Sequence, residues 1–244
     1  MRPTTTALFA GLVSLGLTTT ALAESRDFDL GGFDRIDIAT GLDATVRIGT
    51  DFAVKAESHS SDALDNLELS VENGVLVARI DSSFLDFIIS GGLVGMLFNS
   101  GNAVSLDITV PALTGAVASS GADIDISGLT AETLELDASS GADISLDDAR
   151  IGTLQATASS GSDIEISGRA DRAELDASSG SDIDAGDLVV EQAQVNASSG
   201  GTIEAQVTEA VRANASSGAN IDISGNPRQR DIDSSSGGDV HFDD

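Results

Sequence analysis

From Gly115 onward, apolar and polar residues alternate in short runs that recur about every twenty positions. A Ser-Ser-Gly triplet aligns the runs, with its glycines at Gly121, Gly141, Gly161, Gly180, Gly200, Gly218 and Gly237 and spacings of 20, 20, 19, 20, 18 and 19 residues. Three residues beyond each glycine stand Ile124, Ile144, Ile164, Ile183, Ile203, Ile221 and Val240. Two further on stand Ile126, Leu146, Ile166, Ala185, Ala205, Ile223 and Phe242, and five before the glycine stand Ala116, Leu136, Ala156, Leu175, Val195, Ala213 and Ile232. The positions between them are polar. A period of two predicts strands with one buried face, and Ser-Ser-Gly predicts the corner between two strands, since glycine reaches backbone angles that other residues avoid. A weaker third apolar side follows in Leu129/Ala131, Ala149/Ile151 and Leu188/Val190.

A single copy cannot bury its apolar face, whereas stacked copies make a continuous core. The pattern therefore predicts an all-β fold, a single-stranded parallel β-solenoid resembling a right-handed β-helix, with coils of about 20 residues. Seven coils at the ~4.8 Å strand spacing extend roughly 34 Å. Ala118, Ala138, Ala158, Ala177, Ala197 and Ala215 predict a narrow interior, and the paired serines are expected to form hydroxyl ladders along one corner.

Residues 24–111 are strand-like but less regular. Expected strands are Phe33–Ile38, Thr45–Ile48, Ala53–Glu57, Leu67–Glu72, Val75–Ile80 and Val104–Val110, with Asn73-Gly74 as a hairpin turn. They read as a β layer that caps and continues the repeats of residues 112–244, all within one domain spanning 24–244. An apolar insert, Phe84 to Phe98, interrupts this portion. It is too short to span a bilayer, and it reads as a lid over an end or flank of the solenoid in preference to an exposed interaction loop.

Residues 1–23 carry the marks of an export signal: Arg2, the apolar run Ala7–Leu17, then Ala21-Leu22-Ala23. Cysteine is absent, so neither a lipid-bearing cysteine nor a disulfide is expected. Periplasmic or extracellular localisation follows. Of 12 basic and 40 acidic side chains only Arg2 falls in the leader, which leaves a formal charge near −29. Such a field repels phosphate backbones and excludes nucleic acid as a partner.

The candidate chemistry is an acidic column two residues after each glycine: Asp123, Asp143, Asp163, Asp182 and Asp239, interrupted by Thr202 and Asn220. Stacked carboxylates offer oxygen ligands to calcium. The glycine-rich nonapeptide frame of calcium-binding solenoids is missing, however, so the column reads as a solvated face with at most weak divalent-cation binding. His59 and His241 lie in no recognisable Ser-His-Asp pattern, and the serines serve equivalent corners. No catalytic, cofactor or metal site is assigned. Arg150, Arg169, Arg172 and Arg212 read as scattered near turns.

The opening Phe33-Asp34-Arg35-Ile36-Asp37-Ile38, the Val110-Pro111-Ala112-Leu113 segment and the Ser-Gly-x-Asp-Ile units resemble the bacterial "putative auto-transporter adhesin, head GIN domain" family. Gly41-Leu42-Asp43 stands where that family has Gly-Ile-Asn, departing at two of three positions. The resemblance implies a secreted β-solenoid with an adhesin-like or scaffold role and a cell-surface or envelope component as partner, and it carries no catalytic residues. No C-terminal membrane barrel is legible, so self-translocation is not expected. The competing readings are a polysaccharide-active β-helix enzyme, disfavoured by the lack of Trp and Tyr, and a filament assembled through strand edges. Ice binding, which would require flat threonine columns, is set aside because the outward positions are chiefly Asp, Glu, Asn and Ser.

Overall fold

A computed structural model describes residues 23–80 and 104–243. In the repeats each Ser-Ser-Gly corner joins a strand that ends at the first serine to one that begins at the acidic position. β8 (Gly115–Ser119) and β9 (Asp123–Ser127) flank the first corner. β10 (Thr130–Ser139) and β11 (Asp143–Ser159) flank the next, and β12 (Asp163–Ser178), β13 (Asp182–Ser198) and β14 (Thr202–Ser216) each run most of one coil. β15 (Asn220–Ser224), β16 (Gln229–Ser235) and β17 (Asp239–Phe242) complete the stack. Successive coils pair in parallel with like residues opposite, as in Ile124, Ile144, Ile164, Ile183, Ile203, Ile221 and Val240. The predicted β-solenoid is the fold.

The corner has a specific backbone. The second serine and the glycine are both left-handed, with φ 57 and 71 at Ser120-Gly121 and φ 60 and 69 at Ser160-Gly161. A left-handed L-residue costs about 1–2 kcal/mol, and a short polar side chain tolerates that region better than a branched apolar one. Inter-coil bonds at this corner run through the backbone, as from Ser140 N to Ser159 O at 3.3 Å and Gly180 N to Ser199 O at 3.2 Å. The expected hydroxyl ladder of the paired serines is not what joins the coils. The hydroxyls of two other residues do so: Ser162 Oγ donates to Ala138 O at 2.8 Å and accepts from Ser159 N, and Ser181 Oγ donates to Ala158 O.

A second corner follows the acidic strand, seven residues past the glycine, with positive φ at Gly128, Asp148, Gly168 and Gly225. Most of the unevenness in repeat length is absorbed here. Register shifts fall between Leu146 and Ala149, between Glu165 and Gly168 and between Ala185 and Val189, and one more falls further on, between Val190 and Gln192.

The interior is lined by small and branched apolar side chains, all buried, among them Ala138, Ile144, Leu175, Ala185, Ala213 and Ile223.

The N-terminal portion continues the stack, but out of chain order. β2 (Arg35–Ala39) and β3 (Asp43–Ile48) pair in parallel with β8 and β9. β6 (Val75–Ile80) and β7 (Val104–Val110) pair in parallel with the other edges of β2 and β3. The chain thus builds one coil, adds a further coil outside it, then crosses back. Thr114 N donates to Asp34 O at 2.8 Å during the return. Arg35 reaches past this level to Glu135 at 2.8 Å, over Gly115, where an added Cβ would lie 2.9 Å from the guanidinium carbon.

Antiparallel strands close this end: β4 (Ala53–Ser58) on β7, β1 (Glu24–Phe28) on β4, and β5 (Leu67–Glu72) on β6 through a turn with φ 51 at Asn73 and 84 at Gly74. Reversing direction ends the parallel ladder and covers the edge it would otherwise expose. Between β4 and β5 lies the short helix α1 (Ser61–Asp65), absent from the sequence expectation, capped by Ser60 and burying Ala63 and Leu64. β2 starts later than expected because Phe33 turns inward against Phe52, ring centroids 5.1 Å apart, and is buried. At the far end Ile232 is exposed and the Arg230 guanidinium lies 4.2 Å from the Phe242 ring centroid. The apolar insert Phe84–Phe98 lies outside the described residues.

Candidate functional site

The two strands meeting at each Ser-Ser-Gly corner present outward faces of different chemistry. Beyond the corner the face is acidic. The column foreseen from the repeat is one continuous file, pairing Asp123 with Asp143, Asp143 with Asp163, Asp163 with Asp182, and continuing through Thr202 and Asn220 to Asp239. Its head is Asp43, opposite Asp123. Gly41-Leu42-Asp43 is itself a corner: Gly41 has φ 65 and donates from its N–H to Ser120 O at 3.1 Å, and Leu42 is buried. Thr40 takes the strained left-handed position at φ 64, and its hydroxyl accepts from Ile80 N at 2.9 Å, tying this corner to the coil outside it. The next outward file adds Asp125, Glu165, Asp184, Glu204 and Asp222, ending at His241.

Crowding shows in the ionisation of the column. Asp43, Asp123 and Asp163 have carboxyls raised above the ordinary range. These side chains face solvent, yet each is flanked by neighbouring coil, and partial loss of water is the first cause. Repulsion follows, from Asp125 on Asp43, from Asp143, Asp43 and Asp125 on Asp123, and from Asp143 and Asp182 on Asp163. Among the described residues no three His, Cys, Asp or Glu side chains converge to hold a metal ion.

Ahead of the corner the face is rich in amides. Asn214 donates to Asn196 Oδ1 and Asn196 to Asp176 Oδ1, both at 2.8 Å, forming a side-chain ladder across three coils. Beside it runs a groove of about 670 Å³ along the axis. Its floor is the backbone at the buried residues Leu154, Ala173, Ala193 and Val211, and outward files on either side form its walls. One wall runs Thr153, Arg172, Gln192, Ala210, Gln229, and the other Gln155, Glu174, Gln194, Arg212, Asp231. Glu174 accepts from Gln155 at 3.5 Å and Gln194 at 3.3 Å, and Arg212 lies 3.8 Å from Asp231. These are long contacts.

The structure thus gathers two of the arginines that read as scattered: Arg172 and Arg212 stand on opposite walls of one groove. Arg150 and Arg169 pair with each other's strand positions on the third side. His59 follows β4 at the capped end and His241 sits in β17 at the other, 3.2 Å from Asp243, so the two histidines do not share a site.

Solved structures with this architecture are found at low sequence identity. A "putative adhesin" from Bacteroides fragilis NCTC 9343 superposes with a TM-score of 0.78 at 17% identity, covering 91% of this chain and 97% of that one. A "putative lipid binding protein" from Parabacteroides distasonis ATCC 8503 gives 0.70 at 18% identity, covering 92% and 98%. A "putative adhesin" from Parabacteroides merdae ATCC 43184 gives 0.67 at 12% identity, with the same coverage of 92% and 98%. No curated protein matches the chain. The match to a family spans residues 32–227, from the coil carrying Gly41-Leu42-Asp43 through the second corner of the coil at Gly218, and by it the chain belongs to the "Putative auto-transporter adhesin, head GIN domain" family.

Proposed function

We propose that this protein is an exported, non-enzymatic cell-envelope or extracellular module, a single solenoid domain over residues 24–244 that attaches to a surface component through side chains repeated along its coils. The observation that carries this reading is the register of the outward files. Parallel pairing of like positions repeats the same chemistry every ~4.8 Å, so a ligand of extended form meets many weak contacts at once. Multiplicity of that kind gives avidity without a deep pocket. Residues 1–23 serve as the leader in this reading, which N-terminal sequencing of exported protein starting at Glu24 would support.

The test is attachment of the fluorescently labelled protein to fractionated cell envelopes and whole cells, run beside turnover assays on neutral and acidic polysaccharides. Saturable attachment with no product release is the expected result. Release of reducing ends or unsaturated products, abolished by changes in the groove, would replace it with an enzymatic one.

A further inference from the structure

We propose that the groove between the Thr153 and Gln155 files binds a linear, neutral oligosaccharide lying along the solenoid axis. The proposal rests on the adhesive reading and names its ligand class. Length comes first. The groove crosses five coils, from β11 to β16, which is roughly 19 Å at the strand spacing. One coil rise is close to the length of one sugar unit in an extended chain, so each unit meets the same two wall positions as the last.

The mixture of hydrogen-bonding groups selects the ligand. Arg172, Arg212 and Arg230 only donate (Arg230 already to Pro227 O and Asn226 Oδ1), Glu174 and Asp231 only accept, and Gln155 and Gln194 do both. A hydroxyl donates and accepts and satisfies all of them. A carboxylate or phosphate accepts only, and it would meet Glu174 and Asp231 as like charges, within a chain whose formal net charge is −28. The floor is backbone, with the side chains of Leu154, Ala173, Ala193 and Val211 buried beneath it, so the walls supply the side-chain contacts. With no Trp or Tyr in the chain, recognition depends on these polar walls instead of an aromatic platform.

Calorimetric titration tests this, using the protein against linear hexasaccharides of glucose, mannose, xylose and N-acetylglucosamine and a hexasaccharide of galacturonic acid. At least one neutral hexasaccharide should bind, with an affinity changed less than twofold between 0.05 and 0.5 M salt. The galacturonate probe should bind at least tenfold more weakly. Arg172→Ala with Arg212→Ala, both at the surface, should weaken the neutral ligand at least tenfold with an unchanged melting temperature. Should that double variant not fold, Gln155→Ala with Gln194→Ala replaces it, and the same loss is expected. No binding by any neutral probe, stronger binding of galacturonate, or full affinity in the variants would overturn the assignment. Envelope attachment measured on the same variants separates the two proposals: attachment retained without groove binding removes the ligand and keeps the adhesive role, and attachment absent in the unaltered protein removes the adhesive role itself.

Discussion

Replacing Asp123 with Asn should make the protein more stable. Asp123 stands between Asp43 and Asp143 in the acidic column, with Asp125 on the adjoining file. At the ~4.8 Å coil rise, one like-charge neighbour costs about 0.9 kcal/mol in water. Screening at physiological salt, with a Debye length of about 8 Å, roughly halves this. Two column neighbours therefore leave about 1 kcal/mol, a surface-scale magnitude fitting for an exposed carboxyl. For a chain of this size that amounts to a rise of about 2–4 °C in melting temperature.

The pH dependence has a definite sign. A carboxyl whose folded value lies above its unfolded one binds protons more readily when folded, so stability falls as pH rises through that window. Asp43, Asp123 and Asp163 are all of this kind. Their destabilising share is complete at neutral pH and disappears as pH falls below the ordinary carboxylate range. Thermal unfolding followed by circular dichroism at pH 7 and pH 3, in 0.05 and 1 M NaCl, checks this, with Asp29→Asn as a control outside the column. The part of the Asp123→Asn advantage that comes from repulsion should shrink severalfold in 1 M salt, while the part that comes from loss of water remains. No gain over the control, or a gain indifferent to salt, would refute the repulsion argument.

Three further substitutions probe the coil itself. Leu175→Ala, at a fully buried position, should cost about 2–5 kcal/mol in urea unfolding through the cavity it leaves. Gly168→Ala should lower the free energy of unfolding by about 3 kcal/mol or more, because φ is +125° and a Cβ there would lie 2.2 Å from Ala149 O. Ser162→Ala should cost about 1–3 kcal/mol by removing both buried bonds of its hydroxyl. The alanine fits without strain, since Ala142 fills the same place one coil earlier.

Much of the solenoid is local physics, and so it was legible. Alternation in Asp143-Ile144-Ser145-Leu146 reports which side chains face inward, and Ser-Ser-Gly reports a corner, each from a few consecutive residues. The acidic column followed, because residues at one offset from equivalent corners must stack. The second corner was missed although Ile-Ser-Gly recurs at Ile126–Gly128, Ile166–Gly168 and Ile223–Gly225. Its left-handed residue is Asp148 in the coil between the first two, and the spacing drifts where the bulges fall.

The rest was decided by pairing across coils. Nothing local tells β6 and β7 to lie outside β2 and β3 while β8 and β9 take the other side. That order depends on which coil face β4 and β5 close off by running antiparallel. The groove was likewise invisible along the chain. Outward positions are free of the packing that enforces a pattern on inward ones, so Arg172 and Arg212 carry no periodic signal. Only the register of β12, β13 and β14, set by bulges at the second corner and by a further shift between Val190 and Gln192, places them on facing walls. Sequence determined the coil and its inward columns because burial imposes a period of two. Tertiary structure decided the coil order and the face a ligand meets, because both depend on strands brought together from distant parts of the chain.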